Sequence, residues 1–284
     1  MPGVPYNTTH LSGDTYVVPG LTNAGFIAGL GIDTCEDVAP YAGVPMDRLA
    51  ITHGHADHFS VAYRLRAAGA RVAAARDDAS LVENPDINIR GMFSWARPGD
   101  TMTTRLFQGV PCEVDEYLED FTDERARVIP LPGHTMGHCG LLTVDGVLFT
   151  GDALYLRDLW DRHPLPYAID PGMTATSLEA IRATECAWIV PGHGRPLSRK
   201  AAEEHIDHHL EQIREIESLL LKGLASGKTT EQAVAMISRK RGIVENPASY
   251  WLAVTTVKGF LGELLNRGLV EFYVSEHAGW WKTV

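Results

Sequence analysis

Residues 51–60 read ITHGHADHFS. Three histidines and one aspartate, His53, His55, Asp57 and His58, fall directly behind the apolar run Leu49-Ala50-Ile51. A strand that ends in a short turn can point residues 53 and 55 to one side, while residues 57 and 58 serve a second position nearby. Imidazole nitrogen and carboxylate oxygen are the donor set of Zn²⁺ and related transition metals. The stretch therefore reads as the beginning of a metal centre, with His53 and His55 on one ion.

Two neighbouring ions would still lack ligands, and three later segments offer them: His134 in LPGHTMGH, Asp152 in LFTGDAL and His193 in VPGHG. Each sits in a Gly-flanked loop behind a strand-like run, where small neighbours permit close approach. The intervening text alternates strand and helix. LAITH is followed by a helix over about residues 56–68, then RVAAA, then a helix from near Asp77. Thr15 to Asp33 reads as a β-hairpin opening, and Asp145-Gly146 between apolar runs is a second hairpin signal. An α/β layered fold follows, with every histidine motif at one edge of the sheets. Between Asn84 and Tyr117 no period is sustained. Met92, Phe93, Trp95, Met102 and Phe107 there make either a surface excursion with its own small cluster or a pocket lid.

From about Ser198 the composition turns helical. Ile206, Leu210, Ile213, Ile216 and Leu220 recur at helical spacing in SRKAAEEHIDHHLEQIREIESLLLKG. TTEQAVAMISRKRG, capped by Thr229 or Thr230, and the stretch from Pro247 to Gly268 form two more helices, and the tail forms a hairpin turning near His277 to Gly279. Three helices and a hairpin have the layout of a winged-helix unit. The expectation is a catalytic domain over residues 1–207 and a small, mostly helical domain over residues 208–284.

Composition is that of a globular chain, 45% hydrophobic and 21% charged. With 36 acidic against 25 basic residues the net charge is −11, which disfavours nucleic acid as a partner. Cys35, Cys112, Cys139 and Cys186 form no C-x-x-C pair, so neither a disulfide framework nor a zinc knuckle is indicated. Neither a signal-peptide pattern at the start nor a run of 18 apolar residues appears, so the expected setting is the cytoplasm, with no membrane contact.

The ordered set H-x-H-x-D-H, GH, GD and GHG resembles the metallo-β-lactamase superfamily over about residues 14–200. That resemblance implies a four-layer αββα sandwich holding two divalent metal ions. His53, His55 and His134 would hold the first, Asp57, His58 and His193 the second, and Asp152 would bridge them. Asp33 matches an early strand-terminal aspartate that braces the loops. The implied mechanism is hydrolysis by a bridging hydroxide that Asp57 orients, having taken the proton of the water from which it forms. His55, where flavodiiron relatives resemble one another in having Glu, points to zinc, with iron or manganese also compatible. Tyr155 stands at an offset similar to a tyrosine of N-acyl homoserine lactonases and is a candidate catalytic donor to a substrate carbonyl. Phe59-Ser60 departs from the small pair that resembles lactonases and glyoxalase II. The substrate expected is a small carboxyl ester, lactone or thioester, held against apolar walls around Trp160 and Tyr167. The competing reading is a phosphodiesterase or endoribonuclease, for which Arg239, Lys240 and Arg241 could touch phosphate; β-lactam cleavage is a further alternative, as a side activity. His138 is expected to brace its loop, His205 and His209 to be a pair on a helix surface, and Trp280 and Trp281 to be exposed candidates for a homodimer contact.

Overall fold

The computed structural model describes residues 3–99 and 108–284, so Met102 and Phe107 lie outside the described residues. Strands β1 (Thr9–Ser12), β2 (Thr15–Val18), β3 (Ala24–Ile27), β4 (Leu30–Ile32), β5 (Arg48–Ile51), β6 (Arg71–Ala74) and β7 (Glu116–Tyr117) pair in sequence order in one sheet. Strands β8 (Ala126–Pro130), β9 (Cys139–Thr143), β10 (Val147–Gly151), β11 (Trp188–Pro191) and β12 (Leu197–Ser198) form a second, in the order β12-β11-β10-β9-β8.

Why the sheets stack can be read from alternation along single strands, because successive side chains leave opposite faces. In β5, Ala50 faces Phe149 and Leu141 of the other sheet, while Leu49 and Ile51 face the helices α1 (Ala62–Ala67) and α2 (Arg76–Glu83). In β10, Val147 and Phe149 face the first sheet, while Leu148 packs beneath α5 (Pro171–Ala183) and α6 (Arg199–Gly223). Both strands are apolar on both faces, as buried layers require. The result is four layers, αββα. Where the sheets approach most closely, a side chain on Gly25 would meet the Phe149 ring at 2.6 Å.

The C-terminal region is formed by α6, α7 (Thr230–Arg241), α8 (Pro247–Asn266) and the hairpin β13 (Val270–Ser275) and β14 (Ala278–Thr283). Thr229 caps α7 through a reciprocal pair with Gln232, and Asn246 caps α8. Helix α6 runs unbroken through residue 207, and its Ile206, Leu210, Ile213 and Ile216 share one core with Leu148 and Ile189 of the second sheet and Phe260 of α8.

Several local expectations need correction. The first helix begins at Ala62, since residues 53–61 are taken up by the turn that carries the histidines. Part of the irregular segment is helical, as α3 (Asp86–Met92), and the Phe93 ring lies tilted against Trp251 of α8, with centroids 4.2 Å apart. The terminal hairpin turns on Glu276 and His277, both with positive φ as a tight two-residue turn demands. Trp280 and Trp281 are half-buried, with their indole N–H groups donated to Ser275 O and Thr230 Oγ1. All four cysteines are free thiols. Among the described residues no helix is long and apolar enough to cross a membrane.

Candidate metal centre

Strands β4, β5 and β6 are mutually parallel, as are β10 and β11, so the segments that leave their C-terminal ends gather at one edge. Asp33 follows β4, residues 53–58 follow β5, His134 follows β8, Asp152 follows β10 and His193 follows β11. All seven donors expected from the sequence come together there. Their ligand atoms fall into three overlapping groups, His53-His55-His134, His53-His58-Asp152 and Asp57-His58-His193, each with its atoms within 4.8 Å of one another.

In the first group His55 Nδ1 lies 3.1 Å from His53 Nε2 and 2.7 Å from His134 Nε2. Three ring nitrogens thus converge on one point, where one proton can join only two of them. In the last group Asp57 Oδ2 lies 3.3 Å from His193 Nε2 and 3.7 Å from His58 Nε2. Asp152 stands between, with Oδ1 3.3 Å from His58 Nε2 and Oδ2 3.5 Å from His193 Nε2 and 3.7 Å from His134 Nε2.

The outward nitrogens explain which atoms face inward. His58 Nδ1 donates to Asp33 Oδ2 at 2.8 Å, His134 Nδ1 to the Tyr167 carbonyl at 2.9 Å, and His193 Nδ1 to the Leu21 carbonyl at 2.8 Å. His53 Nδ1 meets Thr52 Oγ1 at 3.1 Å, and that hydroxyl donates to Asp33 Oδ2. Each such bond keeps the Nδ1 proton outward, so Nε2 is the nitrogen that faces the centre and the one that would give up its proton, where it carries one, to a cation. His58 Nε2 and Asp152 Oδ1 are buried without a hydrogen bond.

Electrostatics divide the centre. Burial, reinforced by the neighbouring imidazoles, holds His53 well below its usual pKa and His134 down to about 3. Burial opposes charge on His58 as well, but the Asp33, Asp57 and Asp152 carboxylates outweigh it and raise it to about 10. Asp152 raises His193 to about 11. Against their own burial, Asp57 and Asp152 stay ionised, Asp57 chiefly through His58 and Asp152 chiefly through His193. Three carboxylates around buried rings make a field that favours a cation, and the inward atoms without partners are nitrogen and oxygen donors. The residues fit divalent transition metals.

Supporting residues were harder to foresee. Asp78, 1% exposed, accepts from Gly54 N at 2.8 Å, Gly137 N at 2.8 Å and Thr135 Oγ1 at 2.6 Å, tying the loop of His53 and His55 to that of His134. Thr22 Oγ1 donates to Asp57 Oδ2 at 2.8 Å. The Asn23 amide donates to the carbonyls of Pro191 and Gly194 on either side of His193. An acid in the first turn of α2 is the only signal for Asp78, and Thr22 and Asn23 read simply as turn residues. His138 accepts from Asp152 N at 3.0 Å and stacks on His53, which braces the loop.

The remaining candidates are placed differently from one another. Tyr155 Oη lies 3.1 Å from His134 Nδ1 and 3.4 Å from Asp152 Oδ2, and burial, then Asp152, keeps its phenol protonated. The Tyr167 ring stands edge-on to His55 at 5.2 Å. Phe59 is fully buried, Trp160 is 5% exposed and Trp95 is 70% exposed. His205 and His209 are buried, which corrects the expectation of a surface pair. Arg241 donates to Pro164 O and pairs with Glu215, so it is committed to internal contacts.

A family model described as the metallo-beta-lactamase superfamily matches residues 31–193. A hydroxyacylglutathione hydrolase of Acidiphilium cryptum (strain JF-5) is 28% identical over 168 residues, which is 58% of this chain and 58% of that relative. The chain thus matches less than two thirds of that protein's length. A beta-lactamase domain protein from Burkholderia ambifaria superposes with a TM-score of 0.69 at 18% identity, covering 99% of this chain and 95% of that one. A metallo-beta-lactamase family protein from Thermus thermophilus gives 0.63 at 19% identity, covering 100% and 99%. At such identities the likeness is one of fold, and it extends over the C-terminal helices.

Proposed function

Since the chain belongs to the metallo-beta-lactamase superfamily, we propose that it is a two-metal hydrolase of a small carboxyl ester, lactone or thioester. The observation that carries this reading is the convergence of seven His and Asp side chains on two adjoining positions, with His58 Nε2 and Asp152 Oδ1 buried there without partners. His53, His55 and His134 would hold one cation and Asp57, His58 and His193 the other, with the Asp152 carboxylate near both. The chemistry such cations supply when bound is Lewis acidity, which lowers the pKa of water and polarises an acyl oxygen.

The chain's own residues do the rest. Asp57 Oδ2 takes the Thr22 hydroxyl and faces His193, which leaves Oδ1 to orient water and accept its proton. His134 Nδ1–H is shared between Tyr167 O and Tyr155 Oη, and the Tyr155 hydroxyl donates onward to Asp152 Oδ2. Tyr155 therefore acts through two metal-holding side chains and is read as a positioning residue. The Tyr167 ring beside His55 and His134 gives an apolar wall for the acyl group. The name of the Acidiphilium relative describes cleavage of an acylglutathione, a thioester, which supports this substrate class. Zinc is the proposed metal, from the nitrogen-rich donor set.

Purified protein tested against thioester, lactone, β-lactam and bis-nitrophenyl phosphate substrates decides the class. Turnover of thioesters or lactones supports the proposal. Turnover of the phosphodiester alone would overturn it in favour of a nuclease.

A further inference from the structure

Helix α6 carries two histidines that the metal centre does not use. His205 and His209, one turn apart, are 9% and 3% exposed. Their Nδ1 atoms accept backbone N–H groups from alternate residues of a single segment: His205 from Arg157 at 3.1 Å, His209 from Tyr155 at 3.4 Å. That segment leads from Asp152 into the short helix α4 (Arg157–Arg162). The residue before α4 is Leu156, whose side chain has no acceptor for the helix's first N–H groups. His205 supplies one from another helix. Burial holds both rings toward the neutral form, His209 down to about 3, and only that form has a lone pair at Nδ1.

We propose that His205 and His209 are positioning residues of the metal centre, His209 holding the Tyr155 backbone directly and His205 holding the same segment two residues on at Arg157, so that the Tyr155 hydroxyl fixes His134 and Asp152. The inference rests on the reading of those two side chains as metal-holding. Its consequence is that the C-terminal helical region completes the site from behind. A chain of contacts carries the effect: α6 imidazole to Tyr155 N, Tyr155 Oη to His134 Nδ1 and Asp152 Oδ2, and those two side chains to the ions.

The test is zinc binding by the full chain, read by competition with a chromophoric chelator, so that no substrate enters. His209→Leu and His205→Leu remove the acceptor, and His209→Asn and His205→Asn return an oxygen close to where Nδ1 stood. The Leu variants are expected to bind zinc about tenfold more weakly, the scale on which side chains behind metal ligands act. The Asn variants should recover most of the loss, and His209→Leu should add nothing to Tyr155→Phe, through which it acts. Wild-type zinc affinity in folded Leu variants, Asn variants as weak as Leu, or additive losses would overturn the proposal. Should the Leu variants not fold, Tyr155→Phe alone carries the test, and wild-type zinc affinity in it would overturn the proposal equally. A chain that binds zinc tightly, loses it in the Leu variants and hydrolyses none of the substrates above would support the positioning role while refuting the proposed reaction. A wild-type chain that binds no zinc overturns both.

Discussion

Replacing Asp78 tests how the two halves of the centre are held in register. The carboxylate is buried and accepts two backbone N–H groups, of Gly54 and Gly137, and the Thr135 hydroxyl. In Asp78→Ala the hydroxyl can rotate to another partner, but the two N–H groups cannot. Leaving a buried donor unsatisfied costs about 1–3 kcal/mol, so the variant should lose about 2–6 kcal/mol, a large part of a typical domain's stability of about 5–15 kcal/mol. Asp78→Asn keeps one carbonyl oxygen and turns an amide N–H₂ toward the other donor, so its loss should be about half as large. Urea unfolding of the metal-free protein measures both, with unchanged slopes securing the comparison. The reasoning is refuted if both variants unfold within about 0.5 kcal/mol of wild type, the range of unremarkable surface changes, or if the Asn variant loses as much as the Ala variant.

Asp152→Ala removes the carboxylate shared by both positions, so metal analysis should find fewer than two ions per chain, with turnover falling in step; two ions at full turnover would contradict its assignment. Asp57→Asn keeps the shape but not the charge, and should lower kcat by about 10²–10⁴-fold, the usual contribution of a general base; unchanged kcat would remove Asp57 from proton transfer. Gly151→Ala should destabilise by about 1–3 kcal/mol, as overpacking does, because its φ is +48° and the new carbon would meet Thr52 Oγ1 at 2.6 Å and His138 Nε2 at 2.8 Å. A wild-type urea midpoint would contradict that close packing.

The candidate donors were legible because metal ligands must be of few types and must stand behind strands. His53, His55, Asp57 and His58 share one turn, and Gly-flanked His134, Asp152 and His193 have no packing reason to carry polar side chains. The sheets were legible where alternation was strong, as in β5 and β10. What holds the ligands was not. Asp78, Thr22 and Asn23 act across sequence gaps of 24 to 171 residues, and no local period records such bonds. His205 and His209 read as surface residues because i, i+4 spacing does not say which face of a helix is covered. Once α6 packs on the second sheet, the same spacing places both rings against the segment behind Asp152. Tyr155 shows a similar limit: its offset from Asp152 was legible, whereas the direction of its hydroxyl depends on His134, 21 residues earlier.

Hydrolysis by two cations held on seven side chains is put to the test by titrating metal-free protein with Zn²⁺ while following cleavage of a thioester or lactone that the untreated protein turns over. Little cleavage is expected at the first equivalent and a plateau at the second, with chelation abolishing and zinc restoring the rate. A full rate at one equivalent, or a rate that survives chelation, would contradict it.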